Sequence, residues 1–171
     1  MKYLKYFVLF FILMMLGCAR NYDPVQPLIV NRQYQHQQNA VFDAALSVAT
    51  LMNLNVAVIE KSSGLIRFSN DTYGASLLDK YCKPHIVDGR GRPKYTFTEW
   101  SNDRMDDDLP PLVGSAQVTL LVSVIDGKTN INLRTNFKAG SVAVNSTGLL
   151  EETFLRYLEE KLGRASRTNF R

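Results

Sequence analysis

The residues that could do chemistry are few, and the motif nearest to a known site is Gly127-Lys128-Thr129. These three residues match the end of a phosphate-binding loop. Such a loop also needs a glycine at position 122, where this chain has Val122, and a helix after the motif, where this chain has a strand-like pattern. We therefore exclude a phosphate-binding loop.

Neither a metal site nor a catalytic nucleophile has the residue spacing that it needs. Asp106-Asp107-Asp108 are consecutive, whereas a calcium loop spaces its oxygen ligands, so a solvated acidic loop is the favoured interpretation. The two histidines, His36 and His85, share no zinc-type spacing with a cysteine or a carboxylate. Cys82 and His85 flank Pro84 and do not form a preorganised nucleophile and base. We expect no enzyme, no metal and no cofactor.

Aromatic residues crowd one irregular stretch of the chain, at positions Tyr73, Tyr81, Tyr95, Phe97 and Trp100. Tyrosine and tryptophan are favoured anchors at protein interfaces, so these five are candidate partner-binding residues. The alternative, which we favour, is a small satellite core that holds long loops in place. Tyr95 to Trp100 also alternates and is rich in strand-forming residues, which predicts a strand.

The N-terminal residues have the pattern of an export signal. Lys2 and Lys5 precede an unbroken apolar run from Tyr6 to Leu16. Eleven helical residues would span about 16 Å, roughly half of a ~30 Å hydrocarbon core. The run is therefore too short for a transmembrane helix, and a secretory signal is the favoured interpretation.

The end of this signal, Met15-Leu16-Gly17-Cys18, resembles the lipobox of bacterial lipoproteins. The resemblance implies that a signal peptide of residues 1–17 is cut between Gly17 and Cys18, and that Cys18 carries the lipid. Its commonest form has leucine where this chain has Met15 and a small residue where it has Leu16. A free cysteine that ends a plain signal peptide is the alternative.

The residue after the cysteine bears on the membrane that holds the protein. In many bacteria an aspartate there retains a lipoprotein in the inner membrane, and this chain has Ala19. The resemblance therefore implies a lipid anchor in the outer membrane, on its periplasmic face, with the inner membrane as the alternative. Two or three acyl chains would hold the protein stably, because a single chain binds only marginally.

The composition of the mature chain limits its partners. Removal of residues 1–17 leaves 154 residues, enough for one domain, and a formal charge of +2, because Lys2 and Lys5 are lost. A charge so near zero argues against a nucleic-acid partner. With Cys18 acylated, Cys82 is the only thiol left, so no internal disulfide can form. We favour a buried, inert Cys82 over a bond to another chain.

Hydrophobic periodicity predicts a first helix and a strand pair. The helix is predicted after an N-cap at Asn39, with its apolar stripe at Val41, Ala44, Ala45, Val48, Leu51 and Met52. The strands Val56–Glu60 and Leu65–Ser69 flank a glycine-containing turn, with Ile59 opposite Ile66 and Ala57 opposite Phe68.

The last third of the chain predicts a hairpin and a second helix. Asp126-Gly127 is a two-residue turn between Ala116–Ile125 and Lys128–Phe137, and it pairs Val122 with Ile131. A short strand over residues 141–145 follows. The second helix is predicted to be capped by Ser146 or Thr147 and to end at Gly163, with a buried stripe at Leu150, Phe154, Leu155, Leu158 and Leu162.

These elements predict an α+β fold with two layers, an antiparallel sheet carrying two amphipathic helices on one face. We place a single domain at residues 35–163, with a long irregular insertion at about 70–115, a tether at 18–34 in which residues 28–30 are a candidate short strand, and a basic, frayed tail at 164–171. The order of elements over Asn39–Ser69 and Ala116–Gly163 resembles the helix-grip domains of envelope lipoproteins. The accessory lipoprotein C of the outer-membrane barrel-assembly machinery is one of them.

The preferred functional hypothesis is a non-enzymatic, membrane-anchored lipoprotein that docks on an envelope protein or an outer-membrane assembly. The alternative is a carrier that holds a lipid or another apolar small molecule between the sheet and the helices, as helix-grip architectures permit.

Overall fold

The computed structural model describes residues 25–84, 86–87 and 93–168. Its strands are β1 Leu28–Tyr34, β2 Asn55–Glu60, β3 Leu65–Gly74, β4 Ile86–Val87, β5 Pro93–Tyr95, β6 Val113–Ile125, β7 Lys128–Ala139 and β8 Val142–Val144. Its helices are α1 Gln38–Leu51, α2 Ala75–Tyr81, α3 Phe97–Asp106 and α4 Leu149–Thr168. Gly17 and Cys18 lie outside the described residues.

The main sheet is antiparallel, with the strand order β1-β7-β6-β3-β2, and β8 pairs with the last residues of β7. The short strands β4 and β5 form a separate pair. Helices α1 and α4 pack on each other and on the sheet, the former near β6 and the latter near β7. The predicted α+β fold, a sheet with amphipathic helices on one face, is confirmed.

The hairpin of β6 and β7 has the predicted register. Val122 lies opposite Ile131 and Leu120 opposite Leu133. Asp126 and Gly127 both have positive φ, 51° and 72°, as the favoured two-residue hairpin turn requires. Alternate residues of both strands are therefore buried under the helices, and the residues between them face away from the core.

The core lies between this sheet face and the two long helices. The predicted stripe of α4 is buried throughout, and Phe154 meets Phe68 of β3 with ring centroids 6.0 Å apart. Other fully buried residues of this layer are Ile66, Leu120, Leu133 and Leu158. Burying one large apolar side chain contributes about 1.5–3 kcal/mol to the free energy of folding, so this layer is the main source of stability.

Helix α1 begins at Gln38 after an N-cap at Gln37, so the predicted cap at Asn39 is wrong. Its buried face includes Phe42 and Ala49 and is centred on Ala45, whereas Leu51, which we placed in the stripe, is 59% exposed. Leu51 lies about 120° from Ala45 around the helix axis, at 100° per residue. The large Phe42 therefore turns the buried face away from Leu51.

The predicted strand over Tyr95 to Trp100 is wrong, because helix α3 begins at Phe97. Thr96 Oγ1 accepts a hydrogen bond from the Glu99 amide at 3.1 Å, and Glu99 Oε2 accepts one from the Thr96 amide at 2.8 Å. This reciprocal capping box is encoded by the Thr-x-x-Glu spacing, which was readable in the sequence. The alternation that suggested a strand lies across this helix start.

Three predicted boundaries also need correction. Residues 28–34, placed in the tether, form β1 and pair with β7. The described residues of 70–115 are largely regular, because β3 runs to Gly74, α2 and α3 follow, and β6 begins at Val113. Helix α4 continues past Gly163 to Thr168. An interior glycine costs a helix only about 1 kcal/mol, which does not compel it to end.

One register prediction also fails. Ile59 lies opposite Ile66 as predicted, but a bulge between Val56 and Val58 puts Val56, not Ala57, opposite Phe68. A bulge adds one unpaired residue, which a strict two-residue alternation does not anticipate.

Candidate functional site

The five candidate aromatic residues do not form one exposed patch. Tyr73 and Phe97 are buried, Tyr81 and Trp100 are half-buried, and Tyr95 is exposed. The Tyr73 ring meets the rings of Tyr81 and Phe137 edge-on, with centroids 6.0 and 6.1 Å apart. Trp100 lines a separate small cleft of about 270 Å³. The satellite-core interpretation therefore fits Tyr73 and Phe97 well.

Tyr73 and Tyr81 also line a cleft of about 400 Å³, which we call the tyrosine cleft. It lies where the end of α1, the beginning of α4, helix α2 and strand β3 meet. Its polar lining residues are Asn53, Asn70, Tyr73, Lys80, Tyr81, Thr153, Arg156 and Tyr157. Its apolar lining residues are Leu51, Met52, Leu77, Leu149 and Leu150.

Two cations stack on tyrosines at this cleft. Lys80 Nζ lies 5.1 Å from the ring centroid of Tyr81, and the guanidinium carbon of Arg156 lies 4.7 Å from that of Tyr157. None of the described residues that line the cleft carries a carboxylate. Arg156 pairs with Glu160 at 3.4 Å, but both side chains are exposed, and such pairs contribute little. The cleft is therefore a site of positive charge.

The segment between β8 and α4 ties the walls of the cleft together. The Thr147 amide donates to the Tyr81 carbonyl oxygen at 2.9 Å, and the Thr147 hydroxyl donates to the same oxygen at 3.1 Å. The Lys83 amide donates to the Asn145 carbonyl oxygen at 2.8 Å. These bonds hold the end of α2, with Lys80, beside the start of α4, which carries Arg156.

A buried carboxylate lies at the start of α4. Glu151 is 1% exposed, and its Oε2 accepts a hydrogen bond from the Ser146 hydroxyl at 3.0 Å. Ser146 Oγ in turn accepts one from the Gly148 amide at 3.0 Å. Ser146 and Thr147, the predicted caps, thus bond residues 148 and 149 at the helix entrance.

Cys82 is free and buried, as predicted. Burial, followed by the negative charges of Glu151 and Asp79, raises the pKa of its thiol from 9.0 to about 12. The reactive form of a cysteine is the thiolate, so this thiol is not a nucleophile at neutral pH. His85, its predicted neighbour, lies outside the described residues.

The raised pKa of Cys82 predicts a loss of stability in alkali. Between pH 9 and 12 the unfolded chain releases the thiol proton while the folded chain keeps it. The free energy of unfolding then falls as the pH rises, by up to about 1.4 kcal/mol per pH unit. Burial also raises the pKa values of Tyr34 and Tyr73, from 10.0 to about 12, which adds the same dependence above pH 10. Urea unfolding from pH 8 upward measures the decline.

A Cys82→Ala variant is the control for this prediction. Its free energy of unfolding should fall less steeply than that of the wild type from about pH 9 to pH 12, because only the contribution of the tyrosines remains. An identical decline in the variant and the wild type between pH 9 and 10 would contradict the assignment to Cys82.

One of the two edges of the main sheet, strand β2, is a second surface of interest; the other edge is strand β1. Strand β2 pairs with β3 on one side only, and no strand of the described chain pairs with its other side. All six of its residues are exposed, and they include Val56, Val58 and Ile59 at 46%, 39% and 47%. Glu60 is its only charged residue, and it contains no proline. The bulge at Ala57 and the charge of Glu60 both blunt this edge.

Comparisons with known proteins identify no family for this chain, so a functional assignment has to be argued from the surfaces described above. No protein-family model and no curated protein matches this chain. Among the described helices, none is both long enough and apolar enough to cross a membrane. Within the same residues, no three histidine, cysteine or acidic side chains come together as a metal site would require.

Sequence reasoning missed Lys80, Arg156 and Tyr157. A cation followed by tyrosine is not a specific signal, because Lys2-Tyr3, Lys5-Tyr6 and Lys94-Tyr95 share it with the two pairs of the cleft, Lys80-Tyr81 and Arg156-Tyr157. The separation of the two pairs in the chain hides their proximity, because only the packing of α2 against α4 brings them to one cleft.

Proposed function

We propose that this protein is a non-enzymatic lipoprotein of the bacterial envelope. In this proposal a lipid on Cys18 holds it at the periplasmic face of the outer membrane, and its α+β domain docks on another envelope protein. The Gly17-Cys18 pair after a short apolar run supports the anchor.

The observation that carries the docking role is the edge strand β2. Its outer backbone groups are unpaired by any described strand, and its apolar side chains are exposed on both faces. Such an edge binds an extended segment of another chain, because main-chain hydrogen bonds supply affinity and alternate side chains supply specificity. We infer that the occupant is an extended segment of a partner envelope protein.

The packing of the domain gives no support to a carrier function. The layer between the sheet and the helices α1 and α4 is filled by large buried side chains, with Phe68 against Phe154. Its interior has the character of a close-packed core, and an apolar ligand there would have to displace those side chains.

Two added charges on β2 should abolish docking. A double variant, Val58→Lys with Ile59→Lys, keeps both positions exposed but places two charges where a docked apolar strand would remove them from water. We expect photo-crosslinking in cells, from a photoreactive residue at Ala57, to yield a discrete adduct in the wild type. The adduct should fall about tenfold or more in the variant, and mass spectrometry should identify it as an envelope protein.

The matched control carries the same charges at the far tip of the hairpin, as Val124→Lys with Ile125→Lys, where both positions are also exposed. It should crosslink like the wild type. An adduct only with a second copy of this chain, no adduct, or equal yields from both double variants would contradict docking of a partner strand at β2.

A further inference from the structure

The chain enters the domain beside the tyrosine cleft. The Gln26 amide donates to Asn145 Oδ1 at 2.8 Å, and a Cβ atom built on Gly148 would lie 3.4 Å from Leu28 Cδ2. The next residue, Leu149, lines the cleft. Thr147, between these points, bonds the carbonyl oxygen of Tyr81 on the opposite wall. The first described residues and the cleft thus share one end of the molecule.

This position sets how far the cleft can lie from a lipid on Cys18. Residues 19–25 number seven, and no conformation of seven residues spans more than about 25 Å. If Cys18 is acylated, as the proposed function holds, Val25 stays within about that distance of the lipidated residue, and the domain end that carries the cleft begins there. The opposite end, with the turns around Gly64 and Gly127, can lie farther away.

The lining of the cleft suits an anionic headgroup. Lys80 and Arg156 supply two positive charges. None of the described lining residues carries a carboxylate, and Glu160, which pairs with Arg156 at 3.4 Å, is exposed and lies outside the lining. Asn53, Thr153 and Tyr157 add polar groups that can bond phosphate and glycerol oxygens. The arginine of such a site can bond a phosphate through two parallel N–H groups.

The rim of the cleft is apolar. Leu51, Leu77 and Leu149, from three different helices, are exposed at 59%, 41% and 38%. A free phosphate would make no apolar contact with these side chains, whereas the glycerol and first methylene groups of a lipid would cover them. The volume of about 400 Å³ accommodates a headgroup but not whole acyl chains, which would stay in the bilayer.

We propose that the tyrosine cleft binds the phosphate headgroup of an anionic phospholipid in the membrane that holds the protein. Binding there adds a second, non-covalent contact to the lipid on Cys18 and turns this end of the domain toward the bilayer. The inference rests on the proposed anchor for its geometry, and its chemistry rests on the cleft alone.

Photo-crosslinking with defined lipids tests this proposal on the full chain, purified from membranes and reconstituted in phosphatidylcholine vesicles. One sample contains photoactivatable phosphatidylglycerol, and the other contains photoactivatable phosphatidylcholine. We expect the anionic lipid to label the peptides of α2 and α4 that carry Leu77 and Leu149, well above the zwitterionic lipid. Each basic residue near an anionic surface contributes about fivefold in affinity. The Lys80→Gln/Arg156→Gln variant should therefore lose labelling about tenfold or more.

The control variant Lys61→Gln/Lys128→Gln also removes two positive charges, at the opposite end of the strands, and should label like the wild type. Equal labelling by the two lipids, or equal labelling of the two variants, would overturn the proposal. Loss of the label on addition of inorganic phosphate or of a glutamate-rich peptide would assign the cleft to that ligand instead and would also overturn it.

The anchor is measured separately in the same preparation, from the mass of the peptide that contains Cys18. Missing cleft labelling in a protein whose Cys18 carries the lipid contradicts the cleft proposal alone. An unmodified Cys18 contradicts the anchor alone. That protein can still be added to the same vesicles, and its labelling then tests separately what the cleft binds.

Discussion

Replacing Gly64 by alanine is expected to lower the free energy of unfolding by about 3 kcal/mol or more. Gly64 has a φ of +70°, which is strained for any residue with a Cβ atom. An added Cβ would also overlap the carbonyl oxygen of Val122, a backbone atom of the central strand β6. That same strand holds the turn, because the Val122 amide donates to the Gly64 carbonyl oxygen at 2.9 Å. Urea denaturation measures the loss.

Gly127→Ala is the matched control for this prediction. Gly127 has nearly the same φ, +72°, but nothing lies within 4 Å of a Cβ atom built there. We expect it to cost only the backbone strain, about 1–2 kcal/mol. Equal losses for the two variants would show that the turn at Gly64 yields to the methyl group, and would contradict the tight packing of that turn on β6.

Replacing Cys18 by serine is expected to remove the lipid completely. In the lipoprotein family the lipid is joined to a cysteine thiol, and this chain has only one other cysteine, Cys82. Each buried methylene of an acyl chain contributes about 0.8 kcal/mol to membrane binding, so two or three chains hold a protein almost irreversibly. Metabolic labelling with palmitate should mark the wild type and leave Cys18→Ser unmarked.

Cys82→Ala is the control for the labelling experiment, since Cys82 is buried and its thiol stays protonated. It should take up palmitate like the wild type. Label that persists in Cys18→Ser and disappears in Cys82→Ala would place the lipid on the wrong cysteine for a lipobox.

The fold could be predicted where two independent patterns agree. At Asp126-Gly127 the turn residues and the alternation of the flanking strands specify the same register, and the observed pairing of Val122 with Ile131 follows it. The buried stripe of α4 was also readable, because Leu150, Phe154 and Leu158 recur at helical spacing and all of them are buried.

Predictions failed where a short pattern had a competing explanation. Tyr95 to Trp100 alternates like a strand, but the capping box of Thr96 and Glu99 begins a helix there. In α1, the volume of Phe42 decided which side of the helix faces the sheet, and the apolar spacing alone favoured Leu51. Such choices depend on tertiary packing, which local propensity does not contain.

The candidate site was out of reach of sequence reasoning for a related reason. Lys80 and Arg156 are far apart in the chain, and each looks like an ordinary surface cation on its helix. The packing of α2 against α4 and the hydrogen bonds of Thr147 to the end of α2 bring the two cations to one cleft. The hydrogen bond from the Gln26 amide to Asn145 Oδ1 is likewise a tertiary contact, and it places the cleft near the proposed anchor.

The central claim is that a lipid on Cys18 anchors the protein to a bilayer. Mass spectrometry of the N-terminal peptide, from protein purified from membranes, tests it most directly. The account predicts a chain that begins at Cys18 and carries a diacylglyceryl group on the thiol and an acyl group on the amino terminus. A chain that begins at Met1, or a Cys18 without the lipid mass, would contradict it.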